Sequence, residues 1–312
     1  MSDKDTKDKI KDLLVDITKK KHILITKRGN ASIEEVMKLA KTLGREKVLI
    51  QDQGGWITYK QFANKHGLMC IELKTDYGLT NLEDLEKKAD GKSILIVNSL
   101  TGYHAEEDMK KISEICEKKH CLLVNDVSGS IGLKIATYGN IILGSFNKWK
   151  PVNLGFAGFL AFDDKVPSHF EIIPETKKLV QKFFDIIPYF KISVVEKKEP
   201  IDENTQESLI SQNFQEYELK EKDLEKLYEK IKNVGKRNKF FREIHRKIKK
   251  ELKKFEIIHP KSYGINVIVK FNNEEEKNKI IKYCDDNKYE YTECPRYIRV
   301  NENAISIEVK RL

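Results

Sequence analysis

The stretch SFNKWKPVNLGFAG, residues 145–158, sets two lysines, Lys148 and Lys150, behind Ser145 and ahead of Gly155 and Gly158. A lysine amine that is partly desolvated at the ligand edge of a sheet can shed its proton and form a Schiff base. Lysine alone says little in a chain with 58 Lys and Arg, so the reading depends on company. CLLVNDVSGSIG (121–132) places Asp126 after an apolar run. An acid there closes an Asx turn over Ser128 or holds something cationic. KRGNAS (27–32) is a small-residue turn leading into a helix. Its free N–H groups and the positive end of the helix dipole suit a phosphate, although Gly-Asn is also an ordinary turn. A phosphate cradle, a carboxylate at a strand end and a lysine 22 residues later are the parts that pyridoxal phosphate needs. The helix N-terminus takes its 5′-phosphate, the carboxylate its pyridine nitrogen and the amine its aldehyde.

These segments sit where an alternating pattern would put them. HILIT (22–26), KVLIQ (47–51), MCIEL (69–73), SILIVN (93–98), CLLVND (121–126), NIILGS (140–145) and GFLAF (158–162) read as short apolar strands. Between most of them lie amphipathic helices: SIEEVMKLAKTLG with Ser32 as N-cap, then residues 56–67, 81–90 and 105–120, with a further helix at 5–20 ahead of the first strand. Continuous apolar strands alternating with helices predict an α/β fold, a mostly parallel sheet covered on both faces. Ligands in such sheets bind at the C-terminal strand ends, where Asp126 and Ser145 stand. Beyond about residue 165 the texture changes. A long charged helical tract interrupted by Gly235 precedes strands at 256–259, 264–271, 289–293, 297–300 and 304–309 and a helix at 274–286. The predicted organisation is a major domain over 1–165, a connecting region over 166–218, and a small α+β domain with an antiparallel sheet over 219–312.

The net charge is +9 over 312 residues, which permits an anionic partner and also suits a Lys-biased proteome. Five cysteines occur without a CxxC pair or metal spacing, so reduced thiols in a cytoplasmic protein are expected. The N-terminal segment lacks a signal-peptide core, and no apolar run reaches the ~20 residues that span a bilayer.

The sequence resembles the fold-type I, aspartate aminotransferase-like pyridoxal-phosphate enzymes, in particular the class V aminotransferase and cysteine desulfurase group and the selenocysteine synthase-like proteins. NSLTG (98–102), VNDVSGSIG (124–132) and GSFNKW (144–149), with Gly155 and Gly158 following, carry the likeness over about residues 22–165. The resemblance implies a pyridoxal 5′-phosphate enzyme, of aminotransferase or lyase type, acting on an amino acid or amine through a lysine aldimine, as a homodimer. It implies Lys148 as the aldimine lysine, Asp126 at the pyridine nitrogen, Ser145 with Gly29, Asn30 and Ala31 at the phosphate, and Thr101 near the phenolic oxygen. Trp56 would stack on the ring or belong to the core. Lys150 is the rival amine. A sugar-aminotransferase branch has the spacing Ser-Phe-x-x-x-Lys, which Ser145, Phe146 and Lys150 satisfy, whereas the commoner Ser-x-x-Lys spacing favours Lys148.

Arg299 is the expected grip on a substrate carboxylate, with Arg296 second. The phosphate turn departs from the family in having Asn30 where Thr or Ser is common, and Cys294 reads as structural. The tract KRNKFFREIHRKIKKELKK (236–254) reads as a helix with a solvated basic face or an RNA-facing one. Two other functions stay open from sequence. One is tRNA-dependent replacement of a seryl-type side chain, as in selenocysteine synthase-like proteins; the other is a catalytically silent fold that serves as a binding module.

Overall fold

The computed structural model describes residues 3–163 and 218–312. The predicted connecting region lies outside the described residues, save its last. Seven strands form the main sheet: β1 (His22–Thr26), β2 (Lys47–Gln51), β3 (Met69–Leu73), β4 (Ser93–Asn98), β5 (Leu122–Asp126), β6 (Ile141–Ser145) and β7 (Gly158–Phe162). Their order is β1-β7-β6-β5-β4-β2-β3. Only β7 runs against its neighbours, β1 and β6; the remaining pairs are parallel.

Side chains alternate across this sheet, so both faces are apolar. Val48, Ile50, Ile94, Ile96 and Val124 pack with α2 (Gly29–Thr42) and α3 (Thr58–Lys65). Leu49, Leu95, Val97 and Leu123 meet α4 (Leu82–Lys88) and α5 (Met109–Lys118) on the other face. Under β1, β6 and β7, α1 (Asp3–Thr18) and α6 (Glu221–Lys232) complete that second layer. The fold is therefore the α/β arrangement that the pattern predicts. A smaller unit follows: α7 (Val234–Glu251) and α8 (Glu274–Asp286) pack on a sheet ordered β8-β10-β9, formed by β8 (Val267–Lys270), β9 (Tyr291–Cys294) and β10 (Ala304–Ile307). All its pairings are antiparallel.

Four local departures from expectation have physical causes. Helix α2 starts at Gly29 rather than after Ser32, because the Ser32 hydroxyl pairs with Thr26 Oγ1 at 2.8 Å and caps nothing. Helix α5 starts only at Met109, where Asp108 accepts from the Lys111 N–H at 3.2 Å; Ala105–Glu106 instead pairs with Leu100–Thr101. Of the expected strand at 256–259 only an Ile257–Val269 bridge forms. Residues 297–300 make a turn, closed by Arg299 N–H to the Arg296 carbonyl (2.9 Å) and Arg296 N–H to Val300 (2.7 Å).

A buried polar knot fixes the loops at the C-terminal edge. Glu107 accepts from Gln51 Nε2 (2.8 Å) and from the Thr80 N–H (3.0 Å) and hydroxyl (2.7 Å). Gln51 Oε1 in turn accepts from the Asn98 N–H at 3.1 Å. Burial pushes the Glu107 carboxyl from 4.5 up to about 7, against the lowering effect of those hydrogen bonds. The folded state therefore holds a proton that the unfolded chain releases, and stability falls as pH rises from about 4.5 to 7. Glu107→Gln, which keeps an acceptor without the charge, is expected to flatten this decline of about 2–3 kcal/mol in urea unfolding across that window.

Candidate active site

The C-terminal ends of β1, β5 and β6 open onto a cavity of about 450 Å3. One side is formed by the first turn of α2, where N–H groups lack partners four residues back. Two glycines allow that turn to reach β6. A Cβ on Gly29 would fall 2.7 Å from Ser145 Cβ, and one on Gly158 would fall 2.8 Å from the Gly29 nitrogen. Gly158 stands in register with both Thr26 and Ser145, so the glycine pair brings the helix N-terminus beside the Ser145 hydroxyl. Asn30 Oδ1 accepts from Trp56 Nε1 at 3.0 Å, which fixes the half-buried indole as a second wall.

Asp126 ends β5 with 5% of its surface exposed. Its Oδ1 accepts from the Ser128 N–H (2.9 Å), which is the Asx turn that the sequence suggests, and its Oδ2 accepts from the Tyr59 hydroxyl (2.5 Å). The carboxylate both closes the turn and lines the cavity. Burial first, and then the Asp126 charge, raise the Tyr59 phenol well above its ordinary value, so Tyr59 is a permanent donor that orients the carboxylate.

The two lysines differ in setting. Lys148 is exposed at the rim, whereas Lys150 is half-buried. The Lys150 amine meets the Tyr103 hydroxyl and lies 4.4 Å from the Tyr103 ring centre and 5.7 Å from that of Trp56. Trp149 between them takes a positive φ of 62°, and its ring is covered by the Arg311 guanidinium at 4.6 Å.

The small unit supplies the facing wall. Arg299 lines the cavity, yet its fork is closed on Glu308 through Nε–Oε1 (3.0 Å) and Nη2–Oε2 (2.9 Å). Glu308 also accepts from the Lys310 amine (2.5 Å) and the Ser306 hydroxyl (2.9 Å). The Arg299 fork is thus engaged by Glu308 in this structure, where the expected part is a grip on a substrate carboxylate. Arg28 and Arg296 are exposed cavity-lining cations whose side chains make no ion pair among the described residues.

The structure brings together Gly29, Asn30, Trp56, Asp126, Ser145, Lys148, Lys150 and Arg299 around one cavity. Two expected residues lie apart from it. The Ala31 N–H is already bonded to the Arg28 carbonyl at 3.0 Å. Thr101 is fully buried, and its hydroxyl is pressed against the Cα faces of Gly54 and Gly78. Cys294 is buried with Val300 and Ala304, and burial pushes its thiol up to about 11. Sequence reasoning missed Tyr59, Tyr103, Arg28 and Lys310. Tyr103 follows the quoted NSLTG directly and Arg28 precedes Gly29, so adjacency was the available signal; nothing local marks Tyr59 or Lys310.

The fold recurs among solved structures of pyridoxal-phosphate enzymes. The E. coli GDP-4-keto-6-deoxy-D-mannose-3-dehydratase superposes with a TM-score of 0.69 at 10% identity, over 98% of this chain and 88% of that one. A 3-amino-5-hydroxybenzoic acid synthase gives 0.68 at 12% identity, over 98% and 85%. The Helicobacter pylori aminotransferase involved in pseudoaminic acid biosynthesis gives 0.64 at 12% identity, over 96% and 84%. No curated protein sequence matches. Residues 235–312 match the MJ1341 family C-terminal domain. The DegT/DnrJ/EryC1/StrS aminotransferase family matches residues 4–170, more than half of the chain. With the glycine cradle, the buried Asp126 and the lysine-bearing edge in one cavity, the chain belongs to the DegT/DnrJ/EryC1/StrS aminotransferase family of fold-type I, pyridoxal-phosphate-dependent enzymes that act on amines.

Proposed function

We propose that the chain transfers an amino group between a small-molecule donor and an anionic keto compound, with Lys150 as the amine that holds the cofactor. The supporting observation is the seat of its amine between Tyr103 and Trp56, while Lys148 stands exposed at the rim. This reverses the preference that the commoner spacing gives and follows the Ser-Phe-x-x-x-Lys alternative. Borohydride reduction of the holoenzyme followed by peptide mass mapping tests it, with the cofactor expected on Lys150 and a label on Lys148 sinking the assignment.

The residues fit the cofactor. The first turn of α2 and Ser145 form an anion cradle that a single added Cβ would fill. Asp126, held by Tyr59 and the Ser128 N–H, presents a carboxylate for the pyridine nitrogen. When bound, pyridoxal phosphate supplies an aldehyde that takes up the substrate amine and a ring that accepts the electrons of its Cα–H bond. Lys150 would hold the cofactor and, as a free amine, would carry the proton removed from the substrate Cα. Tyr103 holds the Lys150 amine in place, Trp56 walls the ring, and Ile33 and Leu143 exclude water from the cradle side. Tyr59→Phe removes one of the two hydrogen bonds that orient Asp126 and is expected to weaken cofactor retention about tenfold, read by equilibrium dialysis.

The rim selects the substrate's charge. Arg28, Lys148 and Arg296 carry three positive charges with no acidic partner among the described residues, one more than a cofactor phosphate neutralises. A phosphorylated or carboxylated keto substrate suits them. The dehydratase and synthase likenesses are in keeping with a keto sugar or a related carbonyl compound. A homodimer is supported by exposed Ile57 (52%) ahead of α3 and Met69 (64%) on the edge strand β3. Five free cysteines support a reducing cytoplasm. No described helix is long and apolar enough to cross a membrane.

A further inference from the structure

We infer that the outward face of α7 is a docking surface for the phosphate backbone of a nucleic acid, a function separate from the amino-transfer site. The chain's net charge of +9 is concentrated in one place. Residues 236–254 hold ten Lys and Arg against two Glu, which leaves 48 basic and 47 acidic residues in all the rest of the chain. One helix and its closing turn therefore carry +8 of the +9.

The apolar stripe of this helix is spent on packing. Val234, Phe241, His245 and Ile248 are buried, so α7 keeps no apolar face with which to enter a lipid surface. What points outward is a row at helical spacing: Lys236, Lys239, Arg246, Lys250, Lys253 and Lys254 are exposed and make no ion pair among the described residues. Lys247, beside the row, approaches an acid, Glu251 at 4.0 Å. Elsewhere some exposed lysines have close acidic partners, as in Lys60–Glu72 (2.9 Å), Lys92–Glu46 (2.8 Å), Lys118–Glu86 (2.7 Å) and Lys279–Glu275 (2.5 Å). Others, such as Lys74, Lys87 and Lys134, stand singly among the described residues, so what sets α7 apart is the density of its cations. A solvated surface built for solubility mixes both signs, as those regions do. The α7 row instead repels itself across the helix, a cost that a polyanion removes. Lys236 to Lys250 covers about 21 Å along the helix axis, enough to face several phosphates. Phe240, 39% exposed in the middle of the row, offers a ring on which an unpaired base could stack.

The chemistry fits phosphate-backbone contacts, which position a nucleic acid without reading its sequence. The test is fluorescence anisotropy of the full chain with a fluorescein-labelled 20-base-pair RNA duplex, titrated at 50 and 200 mM KCl. With six cations engaged, affinity is expected to fall about a thousandfold between the two salts. The variant Lys239→Gln/Arg246→Gln/Lys250→Gln/Lys253→Gln should bind at least tenfold more weakly at 50 mM, with the salt slope reduced by about three to four. A charge-matched variant, Lys60→Gln/Lys92→Gln/Lys118→Gln/Lys279→Gln, should keep wild-type affinity. Equal loss in both variants would mean that overall charge, not α7, drives binding, and would overturn the proposal. So would absence of duplex binding at 50 mM, including the case where the chain cosediments instead with phosphatidylserine vesicles.

Discussion

Lys150→Ala is expected to lose borohydride-fixable cofactor altogether and to lower turnover by about 10^4-fold, the upper range for removal of a positioned acid–base group. The Lys150 amine reaches the cavity and rests against the Tyr103 hydroxyl, whereas Lys148 is exposed at the rim. A lysine that bonds the cofactor must also stay within reach of the substrate Cα after it is displaced, and the Tyr103 contact holds Lys150 there. Lys148→Ala should retain the fixed cofactor, with any loss confined to substrate affinity and within about tenfold, as befits one exposed charge at an anion-binding rim. Visible absorbance of the bound cofactor and intact mass after reduction read both variants. A Lys150→Ala protein that still fixes the cofactor would refute the assignment.

Glu308→Gln is expected to destabilise the protein by about 3–5 kcal/mol at pH 7, because it strands the buried cations of Arg299 and Lys310. The side chain of Glu308 is fully buried, and those of Arg299 and Lys310 are 6% and 4% exposed. Burial pushes the Glu308 carboxyl up, but Lys310 and Arg299 pull harder, and the net effect holds it well below the usual carboxylate range. Burial and the adjacent Arg299 lower the Lys310 amine as well. The sign follows. A carboxyl depressed in the folded state contributes stability above its unfolded value of 4.5 and loses it as the pH falls below that. The gap between wild type and Glu308→Gln in urea unfolding should therefore narrow from pH 7 toward pH 3. A gap that stays constant over that range would show that lost packing, not charge, sets the cost. Arg299→Lys offers a second reading. It keeps the charge but loses the two-pronged bond, so a smaller penalty is expected than for Glu308→Gln.

The large unit is legible in the sequence because its strands are buried on both faces and read as unbroken apolar runs between amphipathic helices. Asp126 and Ser145 are legible for the same reason, since they end such runs at the ligand edge. The different settings of Lys148 and Lys150 are not, because two lysines separated by one residue differ only in which way the turn after β6 sends them. Trp149 with φ 62° sets that turn, and no residue pattern announces it. The start of α2 escapes too: Ser32 has the identity of a cap, and only the neighbouring Thr26 hydroxyl, brought up by the strand before, takes it away. Arg299 shows the limit of position along a chain. Its late place in the small unit suits a substrate grip, but Glu308, nine residues on in the adjoining strand segment, takes its fork. Pairings made across a fold cannot be read from either partner alone.

The cavity draws its walls from Arg28 at one end of the chain and from Lys310 and Arg311 at the other. During synthesis the described strands of the main sheet are all made once Phe162 has emerged, yet the facing wall is still unmade. At roughly 5–20 residues per second, the interval to Arg311 is roughly 7–30 s. Throughout it, a nascent chain would expose Asp126 and the glycine cradle to the solvent without being able to enclose a ligand. The cofactor should therefore act as a late folding ligand, stabilising only chains whose two units have docked. Cells short of the cofactor would be expected to accumulate protease-sensitive chains, with a shortfall in abundance larger than the loss of activity per molecule explains.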